Sequence, residues 1–117
     1  MRLFSALLLI LLSPAVFAQA CIIESTSSQV KVKICQQNRS IPSQLFRSSF
    51  CKPQLQGQKT TVTFVEQCPI GAFGVCRNAQ TPGVPYQQDI HYYGVRSDAQ
   101  YLKPACERQS KGVWMAY

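Results

Sequence analysis

The chain has 117 residues, of which 46% are hydrophobic, and twelve Lys and Arg residues outnumber five Asp and Glu residues for a formal charge of +7. This length fits one domain. The six cysteines contain no C-x-x-C spacing and the chain has a single histidine, which disfavours a metalloprotein. The basic residues are scattered along the chain and no nucleic-acid-binding module is recognisable, which disfavours nucleic acid as a partner.

The first twenty residues have the three parts of a secretory signal peptide. Arg2 provides a positive start, Ala6–Leu12 is an apolar run, and Ala18-Gln19-Ala20 matches an A-x-A cleavage site. The run is far shorter than the ~20 residues of a spanning helix. We therefore predict a signal peptide at 1–20 and a single disulfide-rich domain at 21–117. The protein is expected in the periplasm or outside the cell, without a transmembrane segment.

Cys21 directly follows the cleavage motif, which raises the alternative of a lipid anchor. A lipoprotein signal would place Leu, Val or Ile three residues before the lipidated cysteine, where this chain has Ala18. Ordinary cleavage after Ala20 fits better, with cleavage after Ala18 as a nearby alternative. The even cysteine count agrees, because a lipid on Cys21 would leave one thiol without a partner.

Three disulfides are predicted, since an exported chain meets an oxidising compartment. The first predicted pair is Cys21–Cys35, whose members would lie at the ends of one hairpin. Cys106 is expected to pair with Cys76 or Cys68, which leaves the remaining cysteine for Cys51.

The segment Cys21–Cys35 is predicted to form a β-hairpin. In its second half Val30, Val32 and Ile34 alternate with lysines, which is the period of a half-buried strand, and the polar stretch ESTSSQ supplies the turn. Residues 36–58 are polar and contain two prolines. The ordered element expected there is a short helical turn that carries Leu45, Phe46 and Phe50.

Lys59–Cys68 is β-branched and aromatic, which predicts a strand with Val62 and Phe64 on one face. The Pro-Ile-Gly sequence after it predicts a turn, and Phe73–Cys76 is then the returning strand. Gly74 inside this strand indicates a bulge or a close backbone approach.

A proline-broken loop at 77–89 leads to an aromatic strand at Ile90–Val95. Ser97 and Gln100 match a capping box, which predicts the start of a helix. Pro104 lies inside this helix and predicts a kink or a break into two pieces, because its ring clashes with the preceding turn. The final VWMAY predicts a closing strand. The fold class is therefore α+β: a small disulfide-stapled antiparallel sheet with one short, kinked C-terminal helix.

The second half of the chain resembles small exported, cysteine-rich bacterial proteins of unknown function. Their pattern is a G-x-C, a tyrosine-rich strand, an Ala-Cys-Glu helix and a Gly-x-Trp end. The matching residues are Gly74–Cys76, Tyr92-Tyr93, Ala105–Glu107 and Gly112–Trp114. The resemblance spans roughly Cys68–Trp114, leaves the Cys21–Cys51 half uncovered and implies no activity.

No pattern for catalysis is present in the sequence. Asp89 and His91 put an acid and the single histidine on one face of a strand, but no G-x-S-x-G turn presents a nucleophile. Oxidised cysteines cannot act as nucleophiles. We therefore expect no enzyme, no cofactor and no metal site.

Binding is the expected function. The chain is predicted to be an exported, non-enzymatic binding module of the bacterial envelope that recognises another protein of acidic character, as an inhibitor or immunity-like protein. The alternative is an accessory structural subunit, lipid-anchored or free, of an envelope or secretion assembly. Basic charge attracts acidic partners, and aromatic side chains with a polar tip suit binding surfaces. The candidate binding surface is Lys31, Lys33, His91 and Tyr93.

Overall fold

The computed structural model describes residues 19–27, 31–52 and 59–117, so Val30 and most of the predicted signal peptide lie outside the described residues. One six-stranded antiparallel sheet has the strand order β3-β1-β2-β5-β4-β6. The strands are β1 Ala20–Thr26, β2 Lys31–Asn38, β3 Lys59–Val65, β4 Gly74–Gln80, β5 Gln87–Tyr93 and β6 Val113–Ala116. The helix α1, Ser43–Leu45, continues as a π turn at Phe46–Phe50, and a 3₁₀ turn at Arg96–Asp98 leads into α2, Ala99–Arg108. The predicted α+β class is confirmed.

The predicted hairpin is confirmed as β1 and β2, but the predicted Cys21–Cys35 disulfide is wrong. Cys21 lies opposite Gln36, and Cys35 lies opposite Ile22. The two cysteines are therefore offset by one residue, and since neighbouring residues of a strand point to opposite faces, their sulfurs lie on opposite sides of the sheet. The observed disulfides are Cys21–Cys51, Cys35–Cys68 and Cys76–Cys106.

Both helices cover the same side of the sheet, which we call the helical face. On one half of it Phe46, fully buried, packs with Cys21, Ile23 and Cys51. On the other half the Cys76–Cys106 disulfide attaches α2 to β4, beside Ile90, Tyr92 and Trp114. Buried Gln36 donates a 3.1 Å hydrogen bond to buried Gln88 on this face. The core thus consists of two apolar clusters, each stapled by its own disulfide.

The strands β4 and β5 extend further into the predicted loop 77–89 than expected, so the loop between them is only 81–86. A β-bulge between Cys76 and Ala79 makes this extension possible. Its residue Asn78 takes a positive φ of 57°, and its backbone N–H donates a 2.9 Å hydrogen bond to Asp89. The carboxylate thereby satisfies a donor that the bulge removes from the strand ladder.

The C-terminal helix also departs from expectation. It runs in one piece through Pro104, so the predicted break into two pieces is wrong. The proline removes one helical hydrogen bond, and the Cys106 disulfide and the packed Trp114 cluster hold the helix in place. The predicted capping box is absent: no side chain caps the 3₁₀ turn or the helix that follows it.

The predicted β3–β4 hairpin is not formed, because three strands, β1, β2 and β5, separate these two in the sheet. β3 runs antiparallel to β1, and β4 runs antiparallel to β5. Since β1 and β5 are both antiparallel to β2, β3 and β4 are parallel to each other. Residues 66–73 must therefore cross the sheet, and we call them the crossing loop. Their path determines the candidate site described below.

Candidate binding face

The four residues predicted as a binding surface lie on one face of the sheet, opposite the helical face. Lys33 is directly opposite Tyr93, and His91 is directly opposite Cys35, on the neighbouring strands β2 and β5. Lys31 is two residues before Lys33 and shares its side. No helix of the described residues covers this side, which we call the open face.

The crossing loop runs over the open face, where side chains of β2 and β5 bind three of its residues. Cys68 is bonded to Cys35 of β2, and its backbone N–H donates a 2.9 Å hydrogen bond to Gln37 Oε1. One residue further on, the carbonyl oxygen of Pro69 accepts a 2.6 Å hydrogen bond from the Tyr93 hydroxyl. At the start of the loop, Gln37 Nε2 donates to the carbonyl oxygen of Glu66 at 3.5 Å. The loop is therefore fixed to the two central strands.

The loop displays Ile70 at its outer surface, with 98% of the residue exposed. Beside it lies a cleft of about 420 Å³, lined by the loop and by Val75, His91 and Tyr117. Sequence reasoning missed Ile70 as a site residue. The available signal was an isolated branched apolar side chain in a Pro-Ile-Gly turn, where polar residues are usual.

Tyr93 connects the basic part of the open face to the loop. Lys33 Nζ lies 5.1 Å from the centre of the Tyr93 ring, a cation–π contact. The phenol is partly buried, and this burial raises the pKa of Tyr93. A tyrosine hydroxyl is protonated at neutral pH even without this shift, so it can donate its hydrogen bond to Pro69.

Charge on the strands of the open face is mainly positive. Two acidic side chains, Glu24 and Asp89, share it, and Asp89 pairs with Arg39 at 3.6 Å. The cross-strand register places four further basic side chains on this face: Lys31, Lys33, Lys59 and Arg77.

The Asp89 and His91 side chains share the open face, as predicted. The Asp89 carboxylate is buried and is bound by the Asn78 backbone and by Arg39. Desolvation lowers the pKa of His91, and the negative charge of Asp89 opposes this shift. His91 is thus a neutral, partly buried lining group of the cleft, and Asp89 stabilises the bulge.

The residues that carry the family resemblance meet in the second core cluster. The Cys76 and Cys106 sulfurs are bonded, and the Tyr92 and Trp114 rings lie 5.7 Å apart. This arrangement gives the pattern a structural role in packing α2 onto the sheet, with Trp114 partly buried against the cluster. Tyr93, the neighbour of Tyr92 in β5, lies on the opposite face of the sheet.

Within 19–27, 31–52 and 59–117, no three His, Cys, Asp or Glu residues are grouped so as to hold a metal ion. In the same ranges, no helix has the length and apolar character needed to cross a membrane. The chain matches no protein family, no curated protein and no solved structure. The resemblance to small exported bacterial proteins stays a prediction.

Proposed function

We propose that this protein is an exported, non-enzymatic binding module that recognises an acidic surface of another protein through its open face. The observation that carries the proposal is the asymmetry of the sheet. The helices and two of the three disulfides lie on the helical face, whereas the open face presents a fixed loop, an apolar cleft and several basic side chains. Exposed apolar groups with a polar rim are typical of protein-binding sites.

The proposed location is the periplasm or the outside of the cell. Every cysteine of the domain is in a disulfide, and such pairing persists in oxidising compartments. The predicted signal peptide supports the same location. Cys21 is fully buried and bonded to Cys51, which supports the non-lipidated form because a thioether needs that sulfur.

An inhibitor or immunity-like role fits the construction of the open face. Association immobilises loops and side chains, and this ordering weakens binding. The crossing loop is already ordered by the Cys35–Cys68 disulfide and by the Tyr93–Pro69 hydrogen bond. A loop held in one conformation loses little entropy when a partner binds, which suits a protein that must occlude another protein's site.

A second candidate function is an accessory subunit of an envelope assembly, and the sheet edges favour it. Among the described residues, β3 pairs only with β1 and β6 pairs only with β4. β3, KTTVTFV, has one charged residue and neither Pro nor Gly. An unprotected edge of this kind accepts a strand from another chain.

The test is affinity capture from an envelope extract of the organism that encodes the protein. The wild type is compared with Lys31→Gln/Lys33→Gln and with a matched control, Lys103→Gln/Arg108→Gln. The control removes the same charge from exposed positions on α2, over the helical face. We expect an acidic protein to be retained by the wild type and the control and lost by the open-face variant. Retention should also fall with salt, which screens exposed charges beyond about 8–10 Å.

The outcome also separates the two candidates. An inhibitor is free until its target is added, whereas an assembly subunit purifies in a large native complex. Equal capture by all three proteins would contradict recognition through the basic open face. A large complex unaffected by the lysine changes would favour strand addition at β3 or β6.

A further inference from the structure

We infer that Ile70 is the anchor of this binding module, inserted into an apolar pocket with an acidic rim on the partner protein. The inference rests on the proposed function and names the residue that supplies most of its affinity. Interfaces concentrate their energy in a few central side chains that fill pockets on the partner.

A single exposed apolar residue is ordinary on protein surfaces, so the exposure of Ile70 needs a second observation. That observation is the fixation of the loop on both sides of its tip. Cys68 is covalently bound to β2, and Pro69 accepts the Tyr93 hydrogen bond. On the other side the Phe73 backbone N–H donates a 2.9 Å hydrogen bond to the Tyr92 carbonyl oxygen. Between the two attachments Gly71 has a φ of 107°, a conformation that favours glycine. The backbone therefore turns sharply and presents Ile70 outward.

The surroundings of Ile70 define the chemistry of the partner. The cleft at its base is lined by Ala72, Val75, His91 and Tyr117, and Tyr117 is 64% exposed. The centre of the site is thus apolar. Lys33 contacts the ring of Tyr93, whose hydroxyl donates to Pro69 in the wall of the cleft. A matching partner has an apolar pocket for Ile70 and carboxylates opposite the lysines.

The same charges argue against a second copy of this chain as the partner on this face. Two open faces would bring together two surfaces of net positive charge, because Lys31, Lys33, Lys59 and Arg77 outnumber Glu24 and Asp89 on each. Like-charge juxtaposition across an interface is strongly unfavourable. We therefore assign the site to a different, acidic protein.

The experiment measures the affinity of the captured and purified partner for defined variants. Ile70→Asp removes the anchor and places a negative charge opposite the acidic rim. Val95→Asp is the matched control, since Val95 is 62% exposed and lies in the connection between β5 and the 3₁₀ turn. We expect Ile70→Asp to raise the Kd by about 30-fold or more. Ile70→Val and Val95→Asp should stay close to wild type, and near-ultraviolet circular dichroism should show the same fold for all.

Each result decides the inference. Ile70→Asp could change the Kd as little as Val95→Asp does, while Lys31→Gln/Lys33→Gln loses affinity. That result would overturn the role of Ile70 as the anchor and leave the proposed function in place. A Kd unchanged by every variant would overturn both. Failure of the wild type to retain any acidic protein from the extract would also overturn both.

Discussion

The Tyr93 hydroxyl donates a 2.6 Å hydrogen bond to the carbonyl oxygen of Pro69, one residue beyond the Cys35–Cys68 disulfide. A polar contact and a covalent bond thus hold adjacent residues of the crossing loop to two neighbouring strands. The position of Ile70 depends on both contacts.

Tyr93→Phe removes this hydrogen bond and should loosen the loop tip without unfolding the sheet. We expect the free energy of unfolding to fall by about 0.5–1.5 kcal/mol. Amide hydrogen exchange at Ile70, Gly71 and Ala72 should become faster. Tyr101→Phe is the control, because Tyr101 is 71% exposed on α2. Unchanged exchange at the loop in Tyr93→Phe would show that the disulfide alone fixes it.

The three disulfides should contribute similarly to stability. Their sequence separations are 30, 33 and 30 residues, so each removes a comparable entropy from the unfolded chain, worth about 3–4 kcal/mol. We expect Cys→Ser double variants of each pair to lower the free energy of unfolding by similar amounts in chemical denaturation. The Cys35→Ser/Cys68→Ser variant alone should also expose the loop amides to exchange. If the loop amides were protected from exchange as well as in the other two variants, the Cys35–Cys68 disulfide would not be what holds the loop.

Gly74→Ala should destabilise the second core cluster. The added Cβ would lie inside the Trp114 ring, where glycine now allows a close approach, and overpacking of this kind costs about 1–3 kcal/mol. Far-ultraviolet circular dichroism during chemical denaturation measures the loss, because Trp114 is the single tryptophan and the second background lacks it. In a Trp114→Leu background the same substitution should cost less, because the smaller side chain relieves the clash. An equal cost in both backgrounds would place the strain elsewhere.

The mature chain should begin at Gln19, the second of the two cleavage sites predicted from the sequence. Ala20 and Cys21 are both fully buried in β1, and the Gln19 carbonyl oxygen accepts a 2.8 Å hydrogen bond from Asn38. Cleavage after Ala20 would remove that acceptor and place a charged amino group at a buried position, which is unfavourable. Intact mass of the exported protein checks this. A chain that starts at Cys21, or a lipid adduct there, would contradict it.

Stability should depend on pH through His91. Desolvation holds the folded pKa of His91 below the ordinary value of 6.5, with Asp89 in opposition. The unfolded chain therefore binds a proton near that value while the folded chain does not. The free energy of unfolding falls as the pH drops from 6.5 toward the folded pKa. Urea midpoints measured above and below this range should differ less in His91→Gln than in the wild type. An equal difference would show that His91 makes no contribution.

The local pattern of the chain predicted a large part of the fold. The alternation around Lys31 and Lys33 and the β-branched run at Lys59–Val65 predicted strands that the structure contains. Strand periodicity also put Asp89 and His91 on one side of β5. These features depend on nearest neighbours along the chain, because side chains of a strand alternate between its two faces. The even cysteine count likewise predicted three disulfides without a free thiol.

What the local pattern left open depends on contacts between distant residues. In the β1–β2 register Cys21 lies one residue away from a position opposite Cys35. The residue pattern of the hairpin does not specify this register. The insertion of β1, β2 and β5 between β3 and β4 converts an expected turn into the crossing loop. Only that tertiary arrangement puts Pro69 beneath the Tyr93 hydroxyl and exposes Ile70. The sequence by itself determined the local strand pattern and the number of disulfides. The tertiary structure decided which cysteines pair and which side of the sheet the helices leave open, because strand order and register are set by the packing of the whole sheet.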